Sequence, residues 1–347
     1  MRRSLPTRAA SPALCPSTSP LLVSCHMAQP ANPHSAADLA RQPEPVTSRE
    51  NRWLKQFRAA LAGEALRAPR ESASARPTAS DRESSDEVVG IEGARLVETA
   101  LHSHTEIVAV LVSDSGSRHL RSLAGLIPGG ARILSTTDRL FAQISGTEAP
   151  QGIAALLRPH VATFDDLVRG TPLIVIMAGL QDPGNVGALI RTAEAFGATG
   201  VAASIVGGTG TANPFGPKAL RASAGSALRL PILRGIAAPV LLAQLRVAGV
   251  RVYAACPDDV RSDSGRSASC SPREPLAPWD VDWRAPSALL MGNEGAGLPP
   301  DLVRSADAAV RIPQAYAGAT PAPVDSLNVA VAGGVLLYEA ARQRGLT

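Results

Sequence analysis

From residue 173 onward, short continuous apolar runs alternate with stretches in which apolar positions recur every three or four residues. Leu173-Ile-Val-Ile-Met-Ala178 is apolar throughout, the pattern of a strand covered on both faces of a parallel sheet. Runs at 201–206, 250–255, 288–291 and 308–312 predict four more strands, with helices near 218–226, 240–247 and 301–306 and a closing helix over 327–344. The order predicts an α/β fold: a five-strand parallel sheet covered by helices, with ligands at the carboxyl ends of the strands.

The first half alternates more weakly. Trp53, Leu54, Phe57, Leu61 and Leu66 predict a helix over 51–67, and the polar, breaker-rich run 69–86 predicts a loop. Strands follow at 88–92, 107–112 and 132–134, helices at 94–102, 119–123 and 137–144, and an apolar run at 152–157 closes a small α/β unit ending near 158. Residues 1–48, rich in Pro, Ser and Ala without an apolar period, read as a disordered N-terminal extension. The domains expected are therefore 1–48, 49–158 and 159–347.

Composition narrows the class. With 45% apolar and 18% charged residues the 347-residue chain buries a core, so global disorder is excluded. No window approaches the roughly 18 apolar residues of a membrane span, and no apolar signal region precedes Cys25, so a cytoplasmic protein is expected. Cys15, Cys25, Cys256 and Cys270 show no CxxC pair or regular framework, which argues for neither a zinc site nor a disulfide scaffold; no metal is expected. The formal charge of +4 is compatible with a polyanionic partner such as RNA, while eleven aromatics are too few for a platform that stacks every base.

Candidate chemistry lies in loops after the strands. Gly179 to Gly187 leads into a helix that stops at Gly197; Asn185 is placed as its N-cap, and Arg191 stands six residues on, able to reach back or to pair with Glu194 at i+3. Gly292, Gly295 and Gly297 follow the 288–291 strand, at a spacing that is neither GxGxxG nor a Walker loop. They serve close approach to a ligand or a simple turn. Ser326 is placed to cap the last helix, inside which Gly333 and Gly334 each cost about 1 kcal/mol and call for a close neighbour, across a dimer interface or in the core. Glycines 207, 208 and 210 precede a helix bearing Lys218 and Arg221, a phosphate-binding combination or a solvated basic face.

Taken together, DPGNVGALIRTAEAFGA, ALLMGNEGAGL and IPQ followed by DSLNVAVAGGVLLYEA closely resemble the three motifs of the SPOUT superfamily, in the TrmH/SpoU-type RNA ribose 2′-O-methyltransferases. NPFGPKALRASAGSALRLP resembles the segment between the first two, and Val89-Gly-Ile-Glu-Gly-Ala-Arg95 the start of the family's small RNA-binding domain. The resemblance covers about residues 50–345. It implies a parallel sheet with a C-terminal deep trefoil knot, S-adenosylmethionine as cofactor and a homodimer acting on RNA, with 23S ribosomal RNA favoured over transfer RNA.

By motif position the resemblance makes Asn185, Arg191, Glu294, Ser326 and Asn328 catalytic. It gives Gly292, Asn293, Gly297, Ile312 and Leu327 to the cofactor, and Lys218 and Arg221 to RNA. The segment between Pro313 and Ser326 is longer than the family's usual short turn. Competing expectations are a transfer RNA 2′-O-methyltransferase and a non-catalytic RNA-binding or ribosome-assembly protein.

Overall fold

The structure is a computed structural model that describes residues 41–64, 66–67, 87–103, 105–257, 274–314 and 326–345. Its first sheet holds β1 (Glu44–Pro45), β2 (Leu66–Arg67), β3 (Glu87–Glu92), β4 (Glu106–Ser113), β5 (Arg132–Thr136) and β6 (Ile153–Arg158), in the order β1-β5-β4-β6-β3-β2. Helices α1 (Arg52–Ala62), α2 (Ala94–His102), α3 (Ser117–Leu123) and α4 (Asp138–Ala142) connect the strands. β4 and β5 run parallel, whereas β6 is antiparallel to both β3 and β4.

Two expectations fail here. Residues 44–46 do not belong to a disordered extension: β1 pairs with β5, Val46 donates to the Ser135 carbonyl at 2.7 Å, and its side chain is buried. A two-residue strand has no period to read, and its order comes from the edge it joins. The helix expected over 51–67 stops at Ala62, because Gly63 adopts φ 87° and turns the chain so that Leu66 and Arg67 pair antiparallel with β3. The loop expected over 69–86 lies outside the described residues.

The second sheet comprises β7 (Leu173–Ala178), β8 (Gly200–Val206), β9 (Thr209–Gly210), β10 (Ile232–Ala237), β11 (Arg251–Cys256), β12 (Ser287–Met291) and β13 (Ala308–Arg311). Its order is β10-β8-β7-β12-β11-β13, all parallel, with β9 returning antiparallel on β8. The five expected strands are present. β10 escaped the apolar pattern because it is an edge strand interrupted by Arg234 and Gly235, and β9 because glycines 207 and 208, both at positive φ, make a tight hairpin rather than a phosphate loop.

Helices α5 (Phe164–Leu167), α6 (Pro183–Ala195), α7 (Pro217–Ala222), α8 (Ala238–Val247), α9 (Pro300–Ser305) and α10 (Val329–Gln343) complete the fold. β7 explains the layering: all six residues are buried, Val175 and Met177 in the core of α6 and α10, Ile174 and Ile176 in that of α8 and α9.

Helix α6 is gripped on two sides. A Cβ on Gly187 would lie 2.4 Å from the Ala219 carbonyl of α7, and one on Gly333 of α10 would lie 2.4 Å from Leu189 Cδ1. The close neighbour that Gly333 calls for is therefore α6 of the same chain. Arg344 fastens the end of α10 by donating to the carbonyls of Trp283, Thr171, Pro172 and Ala285 at 2.7–3.0 Å.

The two sheets also touch directly. Arg234 of β10 pairs with Glu87 of β3 at 2.5 Å, both side chains about four-fifths buried, and stacks 5.0 Å from the Phe215 ring centroid. A Cβ on Gly225 would meet Thr99 of α2 at 2.5 Å.

Candidate functional site

The carboxyl ends of β11, β12 and β13 open on a cavity of about 430 Å³. Its floor is apolar, with Met291, Val310, Ala332 and Leu336, and its rim carries Asn185, Asn293, Glu294, Ser326 and Asn328. Gly292, Gly297, Ile312 and Leu327 also line it. Of the ten residues assigned above to catalysis and cofactor, nine therefore converge on one cavity, although they come from three segments up to 143 residues apart.

A turn holds the 291–298 loop in shape. The backbone groups of Asn293 and Gly297 exchange two hydrogen bonds at 3.1 and 2.9 Å, and Asn293 Oδ1 accepts from the N–H groups of Gly295 and Ala296. A Cβ on Gly292 would sit 2.6 Å from the carbonyl carbon of Gly297, so only glycine lets the loop fold back on itself. Asn293 Nδ2 donates to the Gly179 carbonyl at 2.9 Å and joins this loop to the one after β7.

Glu294 organises the start of α6. Its carboxylate accepts from the N–H groups of Gln181 and Asp182 at 3.0 and 3.1 Å and from Asn185 Nδ2 at 3.1 Å. Burial pushes its pKa up, but these hydrogen bonds outweigh that and hold the carboxyl below its ordinary value.

Asn185 Oδ1 accepts in turn from Asn328 Nδ2 at 3.0 Å, while Asn328 Oδ1 accepts from the N–H groups of Ala330 and Val331. The relay has a fixed direction. A carboxylate that only accepts stands at one end and helix N–H groups that only donate stand at the other, so both side-chain amides have one orientation each.

The caps differ from expectation. Asp182, not Asn185, is the N-cap of α6: its side chain accepts from Gly184 N at 2.9 Å and Pro183 occupies the first turn. Asn328, not Ser326, caps α10; Ser326 lies two residues earlier, exposed at the cavity rim. Gly197 does take the left-handed conformation after α6, with the Ala198 N–H bonded to the Ala193 carbonyl at 2.8 Å.

Arg191 lies outside the cavity lining, exposed on α6 about 9 Å along the axis from Asn185 at 1.5 Å per residue. Its expected alternative partner is taken: Glu194 holds Arg229 through two contacts of 2.6 Å, which lower the Glu194 pKa. Among the described residues Arg191 makes no ion pair. Lys218 of α7 reaches Asp182 Oδ1 at 2.7 Å beside the site, and this contact is the main reason the Asp182 pKa is lowered.

Arg221 faces away, into a second cavity. Asp182, Gln181 and the apolar floor residues had escaped sequence reasoning; only Asp182 had a local signal, an acidic residue directly before proline. Cys256, at the cavity wall, is disulfide-bonded rather than a free thiol.

The described residues contain no His/Cys/Asp/Glu group fit to hold a metal, and no helix long and apolar enough to cross a membrane.

Comparison with known proteins follows the same division. Residues 172–338 match the SpoU rRNA Methylase family and residues 80–155 the MRM3-like substrate binding domain. The 23S rRNA (guanosine(2553)-2′-O)-methyltransferase RlmP of Bacillus subtilis is 31% identical over 249 residues, 72% of this chain and 86% of that protein. An uncharacterised tRNA/rRNA methyltransferase of Synechocystis is 34% identical over 212 residues, 60% of this chain and 66% of the relative. The AdoMet-bound rRNA methyltransferase of Sinorhizobium meliloti superposes with a TM-score of 0.64 at 29% identity, covering 87% of this chain and 98% of that one.

Proposed function

This chain belongs to the SpoU rRNA Methylase family, and we propose that it transfers the methyl group of S-adenosylmethionine to a ribose 2′-hydroxyl of RNA, with 23S ribosomal RNA as substrate. The observation that carries this reading is the convergence of the three motif loops on one cavity at the carboxyl edge of the parallel sheet. RlmP of Bacillus subtilis, named above for its 23S rRNA substrate, supports the choice of RNA.

The cavity fits the cofactor. Its volume falls in the range of roughly 300–1,000 Å³ typical of small-molecule sites. The apolar floor of Met291, Val310 and Leu336 suits a nucleoside base, and the backbone-rich wall of Gly292, Gly297, Ile312 and Leu327 suits its polar edges. S-adenosylmethionine supplies an electrophilic methyl group on a sulfonium.

The chain must supply alignment and charge. Glu294, saturated by three N–H donors and with a lowered pKa, is a poor proton acceptor and serves to orient Asn185. Asn185 and Asn328, each fixed in one orientation, hold the rim against which a ribose hydroxyl is placed. Ser326 offers a hydroxyl at the same rim. The Arg191 guanidinium, a planar cation, grips the phosphate next to the target ribose while stabilising developing oxyanion charge. Lys218, paired with Asp182, stands at the approach to the site.

We further infer that the C-terminal segment forms a deep trefoil knot around the cofactor, as the motif resemblance implies, and that the protein acts as a homodimer in the cytoplasm. The dimer has local support: Val331, Val335 and Tyr338 stand 54%, 40% and 58% exposed at helical spacing along α10.

Incubation with labelled S-adenosylmethionine and undermodified 23S rRNA, followed by nuclease digestion and mass spectrometry, tests the proposal. Label on a ribose 2′-oxygen supports it. Label on a base, or none despite measurable cofactor binding, refutes it.

A further inference from the structure

A second cavity, about 320 Å³, lies where the first sheet meets α7. Gly93, Arg95 and Leu96 form one wall, Thr147, Ala149 and Gln151 a second, and Arg221 and Ala224 of α7 a third. Two arginines, Arg95 and Arg221, thus line one cavity though they come from different sheets' helices. Both are exposed, and among the described residues neither side chain makes a hydrogen bond or ion pair.

The one acid in the lining does not neutralise them. Glu92 is 8% exposed, and its carboxylate accepts from Ser145 Oγ at 2.5 Å, Gly146 N at 3.0 Å and Thr147 Oγ1 at 2.9 Å. Its acceptor sites are occupied by neutral donors from the 145–147 turn, so it builds the wall. Two unpaired cations beside one saturated anion leave the cavity with a positive field and free planar donors. The loop is also preset: Gly93 takes φ 100°, its N–H bonds the Ile153 carbonyl at 3.0 Å, and Gln151 Oε1 accepts from Ala94 N at 2.8 Å.

The walls are locked to each other. The Glu87–Arg234 pair and the tight seat of Gly225 on Thr99 fix the first sheet against the second beside the cavity. α7 links this cavity to the methyl-transfer site. Lys218 turns toward Asp182 at the start of α6, and Arg221, three residues later and about 4.5 Å further along the helix, faces the second cavity.

Resting on the methyltransferase reading above, we propose that this cavity holds a phosphodiester of the same RNA, at a nucleotide away from the one methylated, gripped jointly by Arg95 and Arg221. A guanidinium fork matches phosphate oxygens bidentately, and Leu96, Ala149 and Ala224 give the attached ribose an apolar wall. The contact sets RNA register without reading a base. Arg95 and Arg221 are positioning residues: they bind substrate where no chemistry occurs.

The test uses the full chain, undermodified 23S rRNA and S-adenosylmethionine with Arg95→Ala, Arg221→Ala, the double variant and Arg95→Lys. Each alanine variant is expected to weaken RNA binding about five- to tenfold at moderate salt. Each should also lower the slope of log affinity against log salt by roughly 0.7–0.9, the value for one lost phosphate contact. Cofactor affinity is expected to stay at the wild-type level, and the loss of transfer at subsaturating RNA to follow the loss of RNA affinity. Arg95→Lys should keep the salt slope and lose affinity, which a loss of folding would not reproduce. Unchanged RNA affinity and salt slope in the double variant would overturn the inference while leaving methyl transfer by the wild type intact. Absence of transfer by the wild type itself would overturn the parent reading instead.

Discussion

Replacing Asn328 by aspartate separates its two tasks. The side-chain oxygen that caps α10 is retained, and asparagine and aspartate cap equally well, so the cap itself should change stability by less than about 0.5 kcal/mol. The Nδ2 donor to Asn185 Oδ1 is lost, and a carboxylate oxygen instead faces the Oδ1 of an amide whose Nδ2 is committed to Glu294. The missing hydrogen bond is worth about 1 kcal/mol, and the opposed acceptors at this half-exposed rim up to about as much again.

If that cost falls on the aligned state, a loss of about 1–2 kcal/mol lowers kcat/KM roughly 5- to 30-fold. Thermal unfolding and single-turnover methyl transfer, measured side by side, decide the matter. A second variant, Asn328→Ala, loses the donor without opposing two acceptors, so it should show the lower end of that kinetic loss, about fivefold, plus about 1 kcal/mol of stability from the missing cap. A transfer rate within twofold of wild type for Asn328→Asp would show that the relay does not align the site.

Further outcomes follow from the same geometry. Arg191→Lys keeps the charge but not the fork, so transfer should drop about tenfold or more with cofactor affinity unchanged; calorimetry and initial rates check both. Gly292→Ala drives a Cβ to 2.6 Å from backbone and should cost about 1–3 kcal/mol in the loop, weakening cofactor binding at least fivefold by calorimetry.

The Arg229 contact lowers the Glu194 pKa, so its stabilisation is present above the ordinary value of 4.5 and fades as pH falls through the folded-state value. Glu194→Gln should therefore be less stable than wild type by about 1 kcal/mol near neutrality, after solvent screening, with the gap closing as the pH falls below the ordinary value of 4.5 in denaturant titrations. Val335→Glu on the exposed stripe of α10 should yield a monomer by light scattering where wild type gives a dimer.

Much of the fold is legible because it follows from periodicity. The β7 run announces its burial on both faces, and β8, β11, β12 and β13 repeat the signal. β10 gives no such signal: an edge strand is covered on fewer sides, and Arg234 there serves the contact with Glu87. The site is a different matter. Asn185, Glu294 and Asn328 meet across 109 and 143 residues, and no local spacing encodes a partner at that distance. Their grouping was available only through three motifs that resemble one family. The capping residues show how a weak local rule misleads: Asn185 and Ser326 are good cap types, yet Asp182 before proline and Asn328 hold the positions.

The seat of α6 sets a clock. Val186, Leu189, Ile190 and Ala193 are buried, the neighbouring helices leave no room at Gly187 and Gly333, and the end at Gly197 is sealed by hydrogen bonds. A backbone held in this way does not slide or tilt without global unfolding, so its amides should rank among the slowest to exchange with deuterium. Arg191 nevertheless stands free on that frame. Its search for an anion is consequently a matter of side-chain torsions alone, complete within picoseconds to nanoseconds, and any slower gating of turnover belongs to the loops around the cavity or to the RNA.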